Sequence, residues 1–186
     1  MKSLLIEGWR GIHLSIALVN QYQLLELARY ADIRLKHSDL DFYADSWKDK
    51  DNRVAFPDHL NSTIASIPSP TEDETFDFAY RIGFPFDRPQ HQAARRATFM
   101  VCESALSNIH LCFPDLGPEY FCARDDFIVT PSKWSKLKLL DFGFDETKIK
   151  VIPHGVSDEL FYPVTRDERQ VIRDSLEISR PEFVFL

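Results

Sequence analysis

The chain is poor in the features that assign a protein quickly. Its three cysteines, Cys102, Cys112 and Cys122, lie far apart with no Cys-x-x-Cys pair, which argues against a zinc framework and reads as reduced, partly buried thiols of a cytoplasmic protein. The six histidines show no His-Glu-x-x-His spacing, so no metal site is indicated. Basic residues are outnumbered, 22 Lys and Arg against 29 Asp and Glu for a net charge of −7. That is the reverse of a nucleic-acid-binding face. No apolar run is long enough to span a bilayer: the first, residues 3–7 (SLLIE), ends at once in Glu7, and no signal peptide precedes it. With only six glycines there is no Gly-x-Gly-x-x-Gly, no P-loop, and no Gly-x-Ser-x-Gly around Ser104. Internal repeats and low-complexity tracts are lacking too; the acidic stretches 38–52 and 69–77 read as solvated loops.

What is present is an ordinary globular balance, 44% hydrophobic and 27% charged over 186 residues. This is enough for one domain with a real core, or one domain and a piece of another. Short apolar runs alternate with helical patterns. Strands are expected at residues 3–7, 32–36, 76–84, 97–102, 127–130 and 148–152. Between the first two, residues 14–30 carry an apolar stripe (Leu14, Leu18, Tyr22, Leu25), with Asn20, Gln23 and Glu26 on a narrower polar side. Residues 90–96 form a short helix or turn, 104–111 a helix, and 113–118 a Pro/Gly loop. Ser132 is placed to cap a helix over 133–142, with Gly143 as its stop. Strands alternating with helices predict an α/β fold: a Rossmann-like, mainly parallel sheet with helices on both faces. A boundary is expected near 162–165, dividing residues 1–163 from 164–186, where a charged helix pattern (166–176) leads to the apolar run Phe183-Val184-Phe185-Leu186.

In such a sheet ligands bind outside the carboxyl ends of the strands, and polar residues gather at four of these ends. After the first strand comes Gly8-Trp9-Arg10-Gly11-Ile12-His13. Glycines let a backbone approach a ligand, the next helix offers free N–H groups suited to phosphate, and Arg10 adds charge; taken alone the same residues are read as a plain tight turn. Glu103 closes the fourth strand and reads equally as a base or hydroxyl-orienting carboxylate and as a helix-start carboxylate. Ser132 and Trp134 follow the fifth strand, with Trp134 read as core. Pro153-His154-Gly155 follows the sixth; a lone histidine such as His154 is more often structural than a ligand donor.

The segment VTPSKWSKLKLLDFGFDETKIKVIPHGVSDELFYP resembles the closing part of the first domain of GT-B glycosyltransferases of family 4. The matching residues are Ser132, Trp134, Gly143, Pro153, His154, Gly155, Val156, Phe161 and Pro163; Ser157 stands where Asp is usual, with Asp158 one place on. The start, IEGWRGIHLSIALVNQYQLLEL, is similar to that family's first strand, glycine-containing loop and long first helix. The resemblance implies two Rossmann-like domains around a cleft, the first receiving the acceptor and the second holding a nucleotide-sugar, with no metal or other cofactor. It implies that Gly8, Arg10 and Gly11 face the donor diphosphate and that His13, Ser132, Pro153, His154 and Gly155 line the cleft. Glu103 falls near the place where the family often has a histidine, and so takes the catalytic position. The family's donor-binding Arg/Lys pair and Glu–seven residues–Glu motif belong to its second domain, of which residues 183–186 look like the first strand. The expectation is therefore a transferase fragment, inactive alone, with nucleotide-sugar and acceptor as partners of the whole enzyme. The alternatives are a non-catalytic α/β module that binds a glycan or other ligand, and a Rossmann enzyme using a dinucleotide. The latter wants an acidic residue ending the second strand, a place for which Asp39 and Asp41, read as loop residues, are poor substitutes.

Overall fold

In the computed structural model, which describes residues 1–12, 14–42, 56–102, 116–123, 126–158 and 161–179, the chain divides into two compact units, Met1–His154 and Gly155–Leu186. The first unit carries a six-stranded sheet in the order β2-β1-β3-β4-β5-β6. The strands are β1 (Lys2–Gly8), β2 (Ile33–Asp39), β3 (Phe76–Arg81), β4 (Ala93–Phe99), β5 (Asp126–Thr130) and β6 (Ile149–Val151). All pairings are parallel, as the alternation of strands and helices predicts. The order reverses once, between β1 and β3, which makes that point the topological switch of a doubly wound sheet.

Helices cover both faces. Leu24 of α1 (Ser15–Leu27) and Ile64 of α2 (Asp58–Ser66) pack with Ile6, Tyr80, Ala97, Phe99 and Val129. Strand residues one place out of phase point the other way. There Ile128 meets Phe121 of α3 (Pro118–Phe121), Leu139 of α4 (Lys133–Asp141) and Phe144. The start of α4 follows the expected chemistry: Ser132 Oγ accepts the Ser135 N–H at 3.0 Å. Its end does too. Gly143 sits at φ 99°, Phe144 N–H returns to Leu139 C=O at 3.0 Å and Gly143 N–H to Leu140 C=O at 2.9 Å, the paired bonds of a Schellman stop. The second unit contains α5 (Arg166–Ser175), opened by a capping box in which Thr165 and Glu168 satisfy each other's backbone N–H groups.

Three differences from the sequence reading have physical causes. β4 starts at Ala93 rather than residue 97, because its charged start, Arg95-Arg96, remains a strand with Arg95 stacked 5.4 Å over the Phe127 ring. β2 runs to Asp39, three residues past its expected end, as Lys36, His37 and Ser38 pair with Leu5, Ile6 and Glu7. The link from β3 to β4, residues 82–92, contains no helix, although parallel neighbours usually need one. Glu7, 1% exposed, replaces it as an anchor. Its carboxylate accepts the backbone N–H groups of Gln90 and His91 at 2.8 and 3.0 Å, lies 2.9 Å from His91 Nδ1, and accepts Arg81 Nη1 at 3.1 Å.

Candidate functional site

At the carboxyl ends of β1 and β2, where Gly8 stands opposite Asp39, a pocket of about 610 Å³ opens between the β1–α1 loop, the end of β2 and α2. Its wall mixes two chemistries. Trp9, Leu40, Phe42, Ile64 and Ala65 give apolar and aromatic surface, while Arg10, Asp39, Asn61 and Ser62 give hydrogen-bonding groups, with Gly11 contributing bare backbone. A concave, mainly apolar wall with a few placed polar groups is the usual make-up of a small-molecule site.

Arg10 is not a free cation. Its Nε lies 3.1 Å from both Asp39 carboxylate oxygens, Nη2 also meets Asp39, and Nη1 donates to the Ile67 carbonyl at 2.8 Å. The ion pair cancels the formal charge that this loop brings to the pocket. Gly8 is buried, and its lack of a side chain serves packing: a Cβ there would lie 2.6 Å from Asn20 Nδ2 and 3.0 Å from the Ile82 carbonyl oxygen. Gly11 is the half-buried glycine that lines the pocket. Beyond it α1 begins at Ser15, its N-cap position filled by Leu14 with no side-chain cap and no acidic residue in its first turn, so its leading N–H groups keep their affinity for an acceptor or an anion.

Behind the loop lies a buried polar cluster that the sequence reading missed. Asn20 and Gln21, 0% and 1% exposed, sit in α1, and His37, 0% exposed, sits in β2. Asn20, expected on the polar side of its helix, is turned inward because the approach allowed by Gly8 leaves the Trp9 carbonyl within reach of its amide at 3.1 Å. The same amide lies 3.0 Å from His37 Nε2. Burial pushes the His37 pKa down to about 4, with Asp39 opposing the shift and Arg10 adding to it. The signal available in the sequence was adjacent amides facing a short glycine loop, a pattern that hydrophobic periodicity does not weigh.

The other expected site residues are spread along the carboxyl edge of the sheet or lie elsewhere. Ser132 caps α4. Pro153 and His154 are exposed after β6, with the His154 ring 5.8 Å from that of Phe99. Gly155 opens the second unit and is exposed. Trp134, read as core, is 46% exposed, with Lys138 Nζ 6.0 Å from its ring. His13, Glu103 and the run 183–186 lie outside the described residues. The structure thus brings Arg10 and Gly11 together in one pocket with Asp39, and places Ser132, Pro153 and His154 outside its lining. Among the described residues no group of His, Cys, Asp or Glu is arranged to hold a metal, and no helix is long and apolar enough to cross a membrane.

The fold and this pocket define an α/β protein with a doubly wound parallel sheet and a candidate ligand site at the carboxyl ends of its first two strands. Comparison with known families, curated proteins and solved structures finds no match.

Proposed function

We propose that residues 1–154 form the acceptor-binding domain of a GT-B-type sugar transferase, and that the pocket beside Arg10 and Asp39 takes a neutral, hydroxyl-rich acceptor. The observation that carries this reading is the pocket's chemistry. Its charged pair is internally cancelled, two aromatic rings lie beside it, and Asn61 and Ser62 add uncharged polar groups. Sugars present apolar C–H faces and many hydroxyls without charge, and match such a wall; with Arg10 paired to Asp39, that residue offers a diphosphate no uncompensated cation. The resemblance around α4 supports the assignment by analogy. Its expected cap, glycine stop and following strand all occur in order. In this reading the diphosphate of a donor nucleotide-sugar approaches the uncapped start of α1 rather than Arg10.

A saturation-transfer NMR screen of methyl glycosides of glucose, galactose and mannose tests this. At least one should bind saturably and lose contact when Asn61→Leu narrows the polar wall. Silence from every glycoside would refute the reading. One observation favours a second reading: Asp39 is the last residue of β2, the position from which an acidic side chain holds a nucleotide ribose in dinucleotide-binding folds. Micromolar binding of NAD in a calorimetric titration, abolished by Asp39→Leu, would establish it in place of the first.

A further inference from the structure

We propose that Asn20, Gln21 and His37 are positioning residues that hold the β1–α1 loop in the single shape that presents Arg10 and Gly11 to the pocket. The loop's own hydrogen bonding is the basis. Asn20 Nδ2 donates to the Trp9 carbonyl at 3.1 Å, and Gln21 Nε2 donates to the carbonyls of Arg10 at 2.9 Å and Ile12 at 3.2 Å. Two consecutive helix residues therefore capture the carbonyls of residues 9, 10 and 12. A primary amide has two N–H donors. Asn20 spends its second on His37 Nε2 at 3.0 Å, and Gln21 spends both on the loop.

That arrangement fixes the histidine. Nε2 must offer a lone pair, so the ring proton sits on Nδ1, which lies 3.6 Å from Asp39 Oδ1. A protonated ring would set N–H against N–H. The charged groups facing His37 are Asp39, two places along β2, and Arg10 from the loop; α1 presents the neutral Asn20. Full burial of the ring keeps it neutral, and so keeps Asn20 oriented toward Trp9. The hydrogen-bonded run is His37, Asn20, Trp9; among the described residues His37 Nδ1 itself has no hydrogen-bond partner, with Asp39, which pairs with Arg10 on the same loop, as a near charged neighbour. An apolar core at these positions would fill the same space but make none of the hydrogen bonds to the carbonyls of Trp9, Arg10 and Ile12, which is why the cluster reads as a device for the loop rather than as packing.

That the loop serves as a ligand wall rests on the sugar-acceptor reading; that these side chains hold it does not. The full chain, labelled with ¹⁵N and free of ligand, decides the second point at pH 7. The His37 ring should show the Nδ1–H tautomer. In His37→Gln, whose side-chain carbonyl replaces the Nε2 acceptor, the Gly11 amide and Trp9 indole resonances should stay at their wild-type positions. In His37→Leu both should move while resonances of β4 and β5 stay. A His37 ring protonated on Nε2, or a folded His37→Leu variant with unmoved Gly11 and Trp9 signals, would overturn the proposal. Should His37→Leu fail to fold, the ring tautomer and Gln21→Met decide in its place, since Gln21→Met releases the Arg10 and Ile12 carbonyls and should move the Gly11 amide more than the Trp9 indole; an unmoved Gly11 overturns the proposal. Added methyl glycoside then reads function: affinity should fall at least tenfold in His37→Leu and return in His37→Gln. If no glycoside binds the wild type, the sugar reading fails while the tautomer and loop shifts still decide this one.

Discussion

His37 makes the stability of the protein depend on pH, with the larger part of the effect falling above the range in which ordinary carboxylates titrate. Its imidazole is completely buried and its pKa is pushed down from an ordinary 6.5 to about 4. Above pH 6.5 the ring is neutral in both folded and unfolded chains and its contribution is fully present. As the pH falls below 6.5 the unfolded chain takes up a proton that the folded one refuses, and stability is lost until the folded pKa is reached. A gap of about 2.5 pH units, at roughly 1.4 kcal/mol per unit, makes the full loss about 3 kcal/mol, with about 2 kcal/mol already gone at pH 5. The decisive quantity is the difference between the wild type and His37→Gln. The variant keeps an acceptor for Asn20 and has nothing to titrate. Urea unfolding at pH 7, 6 and 5 should show the wild type losing about 2 kcal/mol more than His37→Gln across that range. Parallel pH profiles would refute the burial argument and, with it, the neutral ring on which the loop clamp depends.

Gly8→Ala forces a methyl group to within 2.6 Å of Asn20 Nδ2 and 3.0 Å of the Ile82 backbone oxygen, and should cost about 1–3 kcal/mol in chemical unfolding. Glu7→Leu removes the carboxylate that anchors residues 82–92 and leaves Arg81 without its buried partner; a loss of about 3–5 kcal/mol is expected, read by the urea midpoint. Cys102 is buried and its thiol pKa is pushed up to about 11 by desolvation, against a weaker opposing hydrogen bond with Ser135, so iodoacetamide at pH 8 should leave the Cys102 peptide unmodified in native protein and alkylate it after denaturation.

How far the sequence carried the reading depends on which interactions set each element. The strand–helix–strand unit from β5 to β6 was legible because its signals are local: a serine cap, a glycine at positive φ, and β-branched runs on either side. The parallel sheet followed from alternation alone. α2 was not foreseen, since Asn61, Ser62 and Thr63 favour helix weakly and Ile64 is its buried residue. Its place is fixed by tertiary contact with α1 and the sheet rather than by its own sequence. The helix-free link between β3 and β4 was hidden for a similar reason: its anchor, Glu7, lies more than 80 residues away from Gln90 and His91.

The site was half legible. Arg10 and Gly11 stood out as loop residues after a buried strand, and they do line the pocket. What the sequence did not disclose was that Asp39 ends β2, pairs with Arg10, and so changes the pocket from cationic to neutral. Nor did it show that Asn20, Gln21 and His37 are buried, since polar residues on an amphipathic pattern default to the solvent side. These pairings depend on the parallel register that sets Gly8 against Asp39, a relation between segments that a linear pattern does not contain.

The measurement that bears most directly on the proposed role is an amide chemical-shift map of the full chain with three probes in parallel: a neutral methyl glycoside, inorganic pyrophosphate and NAD. The account predicts saturable shifts from the glycoside centred on Gly11, Asp39 and Asn61, with pyrophosphate weaker there and confined to the first turn of α1. Saturation of the Gly11–Asp39 pocket by pyrophosphate or NAD, with no response to any glycoside, would contradict it.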